Sequence, residues 1–260
     1  MKRIILLSTL LTIALVSQAQ TATTWNGKSC AVVLTYDDGL NVHLNNVIPA
    51  LDSAGLKGTF YISSYNHLLQ QQIPGWRKAA ANGHELANHT IYHPCEGGRP
   101  GREFVTAQND MNNYTVKRMD DEIETMNNLL YAIDGKTKRT FAYPCGDTKI
   151  HDTLYLQPIQ NQILGARGVN AVMPLIDSID LWNIPCYPMN GESGEQLINL
   201  VKKAQASHTL LVFLFHGVGG EHNLNVSLEA HSALLHYLKQ QRDIWVAPMV
   251  EVADFIRERK

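Results

Sequence analysis

The sequence predicts an α/β fold, a closed or partly open (β/α) barrel of seven to eight parallel strands. Two observations predict it. Short apolar runs alternate with segments of helical periodicity along most of the chain, the pattern of a parallel sheet covered by helices. Polar clusters also follow directly on the ends of three runs, where the strands of a parallel barrel open on one face. An open doubly wound sheet is the alternative, but no G-x-G-x-x-G follows the first strand, so a dinucleotide site is not indicated. The 260 residues, 45% hydrophobic, suffice for one large domain. A formal charge of -2 provides no basic field for nucleic acid.

The elements follow in order. Residues 1–19 read as a signal peptide: Lys2 and Arg3 precede an apolar run from Ile4 to Val16, and Ser17 and Ala19 suit a cleavage site. A secreted or periplasmic protein follows, with no transmembrane segment after cleavage and one domain over 20–260. Cys30–Tyr36 is the first strand, ending at Asp37-Asp38-Gly39. Val42, Val47, Leu51 and Ala54 recur at helical spacing and Gly55 closes that helix. Gly58–Ser63 is the second strand, Trp76–Asn82 a short helix, and His84–Asn88 the third strand. Residues 94–112, rich in Gly, Pro, Asn and charge, form an excursion loop. Met119, Ile123, Met126, Leu130 and Ile133 share one face of a long helix, and Thr140–Tyr143 is the fourth strand. A fifth strand lies within 163–174, a sixth at Leu181–Tyr187, then a helix at Gln196–Gln205. Thr209–Phe215 is the strongest strand signal, followed by a helix at Leu228–Gln240, a strand at Ile244–Ala247 and a helix at Val250–Arg259.

The residues at the strand ends carry the chemistry. Adjacent carboxylates, Asp37 and Asp38, suit a division of labour in which one ligates a metal and the other acts as a base. His89 and His93 stand four apart, and in a helical turn both imidazoles face one way and chelate one ion. Two imidazoles and one carboxylate leave positions open for water and substrate. His216 follows the strongest strand. His43, His84, His231 and His236 read as surface or supporting residues.

These residues resemble the motifs of the polysaccharide deacetylases, carbohydrate esterase family four. Thr35-Tyr36-Asp37-Asp38-Gly39 is similar to the first motif, His89-Thr90-Ile91-Tyr92-His93 to the second, Phe141-Ala142-Tyr143-Pro144-Cys145-Gly146 to the third, and Leu214-Phe215-His216 to the last. The resemblance spans about residues 28–256 and implies a deformed (β/α) barrel. It implies that Asp38, His89 and His93 bind one divalent metal, zinc before cobalt or nickel. Asp37 would be the general base acting on a metal-bound water, and His216 the general acid for the leaving amine. The backbone N–H of Cys145 would help hold the oxyanion. Tyr143 and Leu214 would line the acetyl pocket, with Trp182 as a further wall. The substrate implied is an acetylated polysaccharide or oligosaccharide, N-deacetylated before O-deacetylated, with a xylan-type esterase or a weakened carbohydrate-binding remnant as alternatives.

Two departures bear on these roles. The Arg of the third motif is Ala142 and its aromatic residue is Cys145. A base carboxylate still needs a partner that orients it. Arg167, at the expected end of the fifth strand, is the candidate, with Asp180 as a further partner. Cys145 also admits a Cys–His nucleophilic hydrolase with His216 as base, which leaves the other four site residues unexplained. Of four cysteines, Cys95 follows His93 by two residues and Cys145 sits in the third motif; if both motifs line one mouth these two lie close, so a Cys95–Cys145 disulfide is expected, and Cys30 and Cys186 have no assigned partner.

Overall fold

The computed structural model describes residues 24–65 and 69–260; the expected signal peptide over residues 1–19 lies outside them. At the centre stands β1 (Cys30–Asp37), whose eight residues are all buried. A strand covered on both faces has no polar side to present, hence its continuous apolar run. The other strands are β2 (Thr59–Ile62), β3 (Glu85–Asn88), β4 (Phe141–Ala142), β5 (Ala166–Arg167), β6 (Tyr187–Pro188), β7 (Leu210–Phe215) and β8 (Ile244–Val246). All join one sheet in the order β5-β4-β3-β2-β1-β7-β6, with β8 also on β1.

Every ladder in this sheet is parallel. One edge of β1 pairs with β7 from Ala31 to Tyr36. Its other edge is shared: Cys30–Val32 pair with β8, and Thr35–Asp37 pair with β2. The seven strands curl through 260°. The remaining arc is spanned by a single parallel bridge between Arg167 and Ile184. There the Ile184 N–H donates to Ala166 O at 2.8 Å, and the Gly168 N–H donates to Ile184 O at 2.9 Å. This is the deformed (β/α) barrel that the sequence predicts.

Among the described residues six α-helices cover the sheet: α1 (Ile48–Ala54), α2 (Leu69–Ala81), α3 (Val116–Asp134), α4 (Gly194–Ser207), α5 (Leu228–Gln240) and α6 (Met249–Arg257). Their starts carry the expected chemistry. Thr115 and Ser227 accept N–H bonds from Arg118 and Ala230, and Ser193 forms a reciprocal capping box with Gln196. The main core lies between β1, β7 and the helices, and a smaller one forms around α3 and residues 141–163.

Three expectations need correction. The helix expected at Trp76–Asn82 spans Leu69–Ala81 among the described residues, with Pro74 inside it. Trp76 and Leu69 are both buried and carry the helix across the break. The expected sixth strand at Leu181–Tyr187 is only partly regular: Leu181 O accepts from the Ala166 N–H at 2.7 Å and Ile184 bridges to Arg167, but the continuous ladder is Tyr187–Pro188, after a turn in which the Asp180 carboxylate accepts the Trp182 N–H at 2.9 Å. His89 and His93 are not on a helical turn. They stand in a loop whose Thr90 and His93 have φ of 62° and 49°, held by Asn88 Oδ1 accepting from Thr90 N and Thr90 Oγ1 accepting from His93 N.

Candidate active site

The C-terminal ends of β1, β3, β4, β5, β6 and β7 converge on one cleft of ≈ 560 Å³. Asp37 ends β1, and Asp38 enters the turn with φ of 78°. That left-handed backbone is costly for an Asp and is completed by Gly39 at φ 64°, whose added Cβ would press on Ile62 at 3.2 Å. The turn gives the two adjacent carboxylates different main partners, although His89 Nε2 also lies 3.9 Å from Asp37 Oδ2.

Asp38 faces the imidazoles. Its Oδ1 lies 3.6 Å from His89 Nε2 and 3.5 Å from His93 Nε2, and its Oδ2 lies 3.9 Å from His216 Nε2. Burial alone would raise the Asp38 carboxyl, but His93, His89, His216 and His222 hold it down at about 2. His89 lies 2.8 Å from the carbonyl of Ala142 through Nδ1, so Nδ1 carries the proton and the Nε2 lone pair faces Asp38. Burial pushes His89 down to about 4, outweighing the attraction of Asp37 and Asp38.

Asp38, His89 and His93 fit a divalent metal. Ligand bonds of about 2.0–2.2 Å place tetrahedral neighbours roughly 3.3–3.6 Å apart, which is the spacing between Asp38 and each imidazole. The neutral, oriented His89 and the ionised Asp38 are the forms a metal needs. A second grouping, Asp38, His216 and His222, also brings its ligand atoms within 4.8 Å of one another.

Asp37 has a different partner. Arg167 Nη2 donates to Asp37 Oδ2 across a pair in which both side chains are buried. Arg167 Nη1 donates to Gly168 O at 3.0 Å and to Cys186 Sγ at 3.4 Å, and the guanidinium lies over the Tyr61 ring at 5.0 Å. Burial opposes the guanidinium charge, but Asp37 beside it more than offsets this and raises its pKa. Ala142 and Arg167 are register partners on β4 and β5, so they share a face of the sheet. The guanidinium absent at Ala142 is thus supplied from the next strand. Asp180 does not join it: that residue is exposed and bonds its carboxylate to Trp182 N.

Tyr143, Cys145 and Leu214 line the cleft, with Val169 and Pro188 among the residues around them. Cys145 is disulfide-bonded to Cys95, with a Cα separation of 5.8 Å. Its sulfur is therefore not a thiolate nucleophile, and the Cys–His alternative fails. Cys30 and Cys186 are free and buried. Trp182 is a correction: it packs on the smaller core and accepts from Tyr143 Oη through its carbonyl at 2.8 Å, outside the cleft lining.

His216 follows β7, and its carbonyl accepts from His43 Nε2 at 2.8 Å. The Leu40 N–H donates to His43 Nδ1 at 3.2 Å, which sets that tautomer. His43, His84 and His231 are buried supports rather than surface residues; burial holds His43 and His231 near about 4. Burial also lowers His216, against Asp37 and Asp38.

Sequence reasoning missed two residues. His222 stacks on His216 with centroids 4.6 Å apart and planes 12° apart. It lies in an irregular loop, and its only signal was a second His six residues after the first. Arg102, in the excursion loop, donates to both Asp147 oxygens at 2.5 and 3.0 Å and to Cys145 O at 3.2 Å. With the disulfide it ties that loop to the turn at Cys145, where φ is 55°.

A parallel barrel whose strand ends and loops bring two adjacent carboxylates and four imidazoles into one cleft has the build of a hydrolase. The polysaccharide deacetylase family model matches residues 26–160, more than half of the chain, and the chain belongs to that family. It is 24% identical over 204 residues to the peptidoglycan-N-acetylmuramic acid deacetylase PdaA of Bacillus subtilis (strain 168), covering 74% of this chain and 62% of that protein. The chain thus aligns with less than two thirds of PdaA's length. The PdaA structure superposes with a TM-score of 0.56 at 18% identity, covering 88% of this chain and 82% of that one. A Mycobacterium smegmatis structure, classed by likeness as a polysaccharide deacetylase, gives 0.67 at 15% identity, covering 92% and 94%. The Xyl-CE4 domain of a multidomain xylanase from the Trinervitermes trinervoides hindgut metagenome gives 0.55 at 19%, covering 87% and 90%. These structures share the fold.

Proposed function

We propose that this chain is a secreted or periplasmic, metal-dependent hydrolase that removes N-acetyl groups from an acetylated polysaccharide or oligosaccharide. The observation that carries the reading is the division between adjacent carboxylates, Asp37 clamped by Arg167 and Asp38 turned to His89 and His93. Among the described residues no helix is long and apolar enough to cross a membrane, which fits release after signal cleavage.

A divalent ion held by Asp38, His89 and His93, zinc before cobalt or nickel, supplies Lewis-acid polarisation of oxygen. Asp37 takes the proton of the attacking water. Its Oδ2 is committed to Arg167, while its buried Oδ1 has no hydrogen-bond partner among the described residues. Arg167 holds the carboxylate in one orientation, so the base is positioned before substrate arrives. The Cys145 N–H receives the developing oxyanion, and the clamp of Arg102, Asp147 and the disulfide fixes that turn. His216 donates a proton to the amine as the C–N bond breaks, giving acetate and a free amino sugar. Leu214, Tyr143 and Pro188 provide the surface for the acetyl methyl.

The test is acetate release by the metal-loaded protein over N-acetylglucosamine oligomers, peptidoglycan and acetylated xylan. Release from an N-acetylated glycan, abolished by chelator and restored by zinc, is expected. Release from acetylated xylan alone would move the assignment to O-deacetylation, and full activity of the metal-free protein would overturn it.

A further inference from the structure

Four apolar side chains line the cleft from four neighbouring strands: Tyr143 just after β4, Val169 just after β5, Pro188 at the end of β6 and Leu214 in β7. These strands follow one another around the barrel. Ala142 and Arg167 are partners across β4 and β5, the Arg167–Ile184 bridge spans the gap towards β6, and Pro188 pairs with Leu214. The four side chains therefore make one apolar arc on the rim of the site. Trp182, the largest side chain between β5 and β6, packs on the smaller core instead.

Within this arc Val169 sits against the turn that carries the Cys145 N–H. A Cβ added to Gly146 would lie 2.5 Å from Val169 Cγ2 and 3.3 Å from Val169 Cγ1, so the valine occupies the space that a glycine leaves open. The stretch around Val169 is also pinned on both sides. The Gly168 N–H donates to Ile184 O at 2.9 Å, and the Asn170 carbonyl accepts the Cys186 N–H at 3.0 Å. A Cβ on Gly168 would meet Asn183 Oδ1 at 2.1 Å, so this backbone lies close on its neighbour. An acyl group carries its oxygen and its first alkyl carbon on the same carbon atom. With the oxygen at the Cys145 N–H, the alkyl carbon falls among the residues packed on that turn. Asp37 and His216 take the polar sides of the reacting centre, which leaves the apolar arc to the alkyl group. A methyl fits beside a valine, whereas a longer chain must displace a wall that is held in place, and such overpacking is costly.

We propose that Val169, seated on Gly146, is a specificity-determining residue that sets the length of acyl group this site removes. It admits acetyl and discriminates against propionyl and butanoyl groups on the same amino sugar. This rests on the reading that the cleft hydrolyses an acetylated carbohydrate.

The experiment is steady-state hydrolysis of N-acetyl-, N-propionyl- and N-butanoyl-glucosamine oligomers by the zinc-loaded full chain, with the released carboxylic acid quantified. The readout is the ratio of kcat/KM between acyl groups, which does not depend on how much of a variant is folded. The wild type should prefer acetyl to propionyl by roughly ten- to two-hundredfold, the range for one methylene in an apolar pocket. Val169→Ala should raise the propionyl-to-acetyl ratio by about tenfold, and the larger Val169→Ile should lower it by about as much. A side chain that only supports the fold would slow all three substrates alike. Ratios unchanged in both variants, or shifted in the same direction by both, would overturn the role of Val169 and leave the assigned reaction standing. Release of no acid from any of the three by the wild type would overturn the reaction and the wall with it.

Discussion

At the residue scale, neighbouring carboxylates in one buried turn take opposite roles because the backbone reverses between them. Asp37 ends in an extended strand and Asp38 sits at φ 78°, so one side chain meets Arg167 and the other meets the imidazoles. The roles separate by mutation. Asp37→Asn should keep the bound metal and lose about two to four orders of magnitude in rate, as for a missing general base. Asp38→Asn should lose the metal itself, since Asp38 supplies the charged ligand. Metal content by elemental analysis, set beside acetate release, decides this; equal metal loss in both variants would refute the division. The Asp38 partners were legible in the motifs. The Arg167 contact was legible only because Ala142 left a base carboxylate without its guanidinium. His222 was not legible, since its contact with His216 depends on how one loop folds back.

At the scale of elements, the tie between the excursion loop and the third-motif turn matters most. Cys95 and Cys145 lie 50 residues apart in sequence. Closing a loop of that length removes about 4 kcal/mol of unfolded-state entropy in the chain-entropy model, and engineered cases often give less. The Cys95→Ser/Cys145→Ser double variant should therefore unfold at lower denaturant and lose about tenfold or more in kcat, because the Cys145 turn and the His93 loop are both freed. Iodoacetamide should leave the oxidised enzyme active. A double variant of full stability and rate would show that Arg102 and Asp147 hold the turn alone. The same scale shows where sequence reading fails. Strands and long helices were legible because their apolar period is set by burial on a sheet, as in β1 and α3. The residues of α2 before Trp76 were not read as helix, and Pro74 and Gly75 lie inside it. Gly75 permits close approach: a Cβ there would lie 3.1 Å from the Leu44 side chain.

At the scale of the whole molecule, the barrel buries several histidines in their neutral form, and this sets a pH limit on folding. His43, His89 and His231 are each held down at about 4, against an ordinary value of 6.5, with burial the largest cause in all three. Their folded pKa lies below the unfolded one. Between about pH 6.5 and 4 the unfolded chain therefore binds more protons than the folded one. Stability rises with pH through this window and is lost as pH falls, by at most about 1.4 kcal/mol per pH unit for each group. Asp38 adds a loss in the same direction at lower pH, as its carboxylate is protonated between its usual value and about 2. His231 offers a clean test because it lies outside the cleft lining and bonds Tyr36 Oη at 2.8 Å. His231→Gln keeps a polar side chain for Tyr36 but cannot titrate. Denaturant unfolding from pH 7.5 to 4.5 in chelator should give a steep loss of stability in the wild type. The variant, though less stable at neutral pH, should have a slope shallower by about one proton. An unchanged slope would mean that His231 is not folded in as a neutral ring. Saturating zinc should steepen the acid loss, because protons then compete with the ion for His89 and His93.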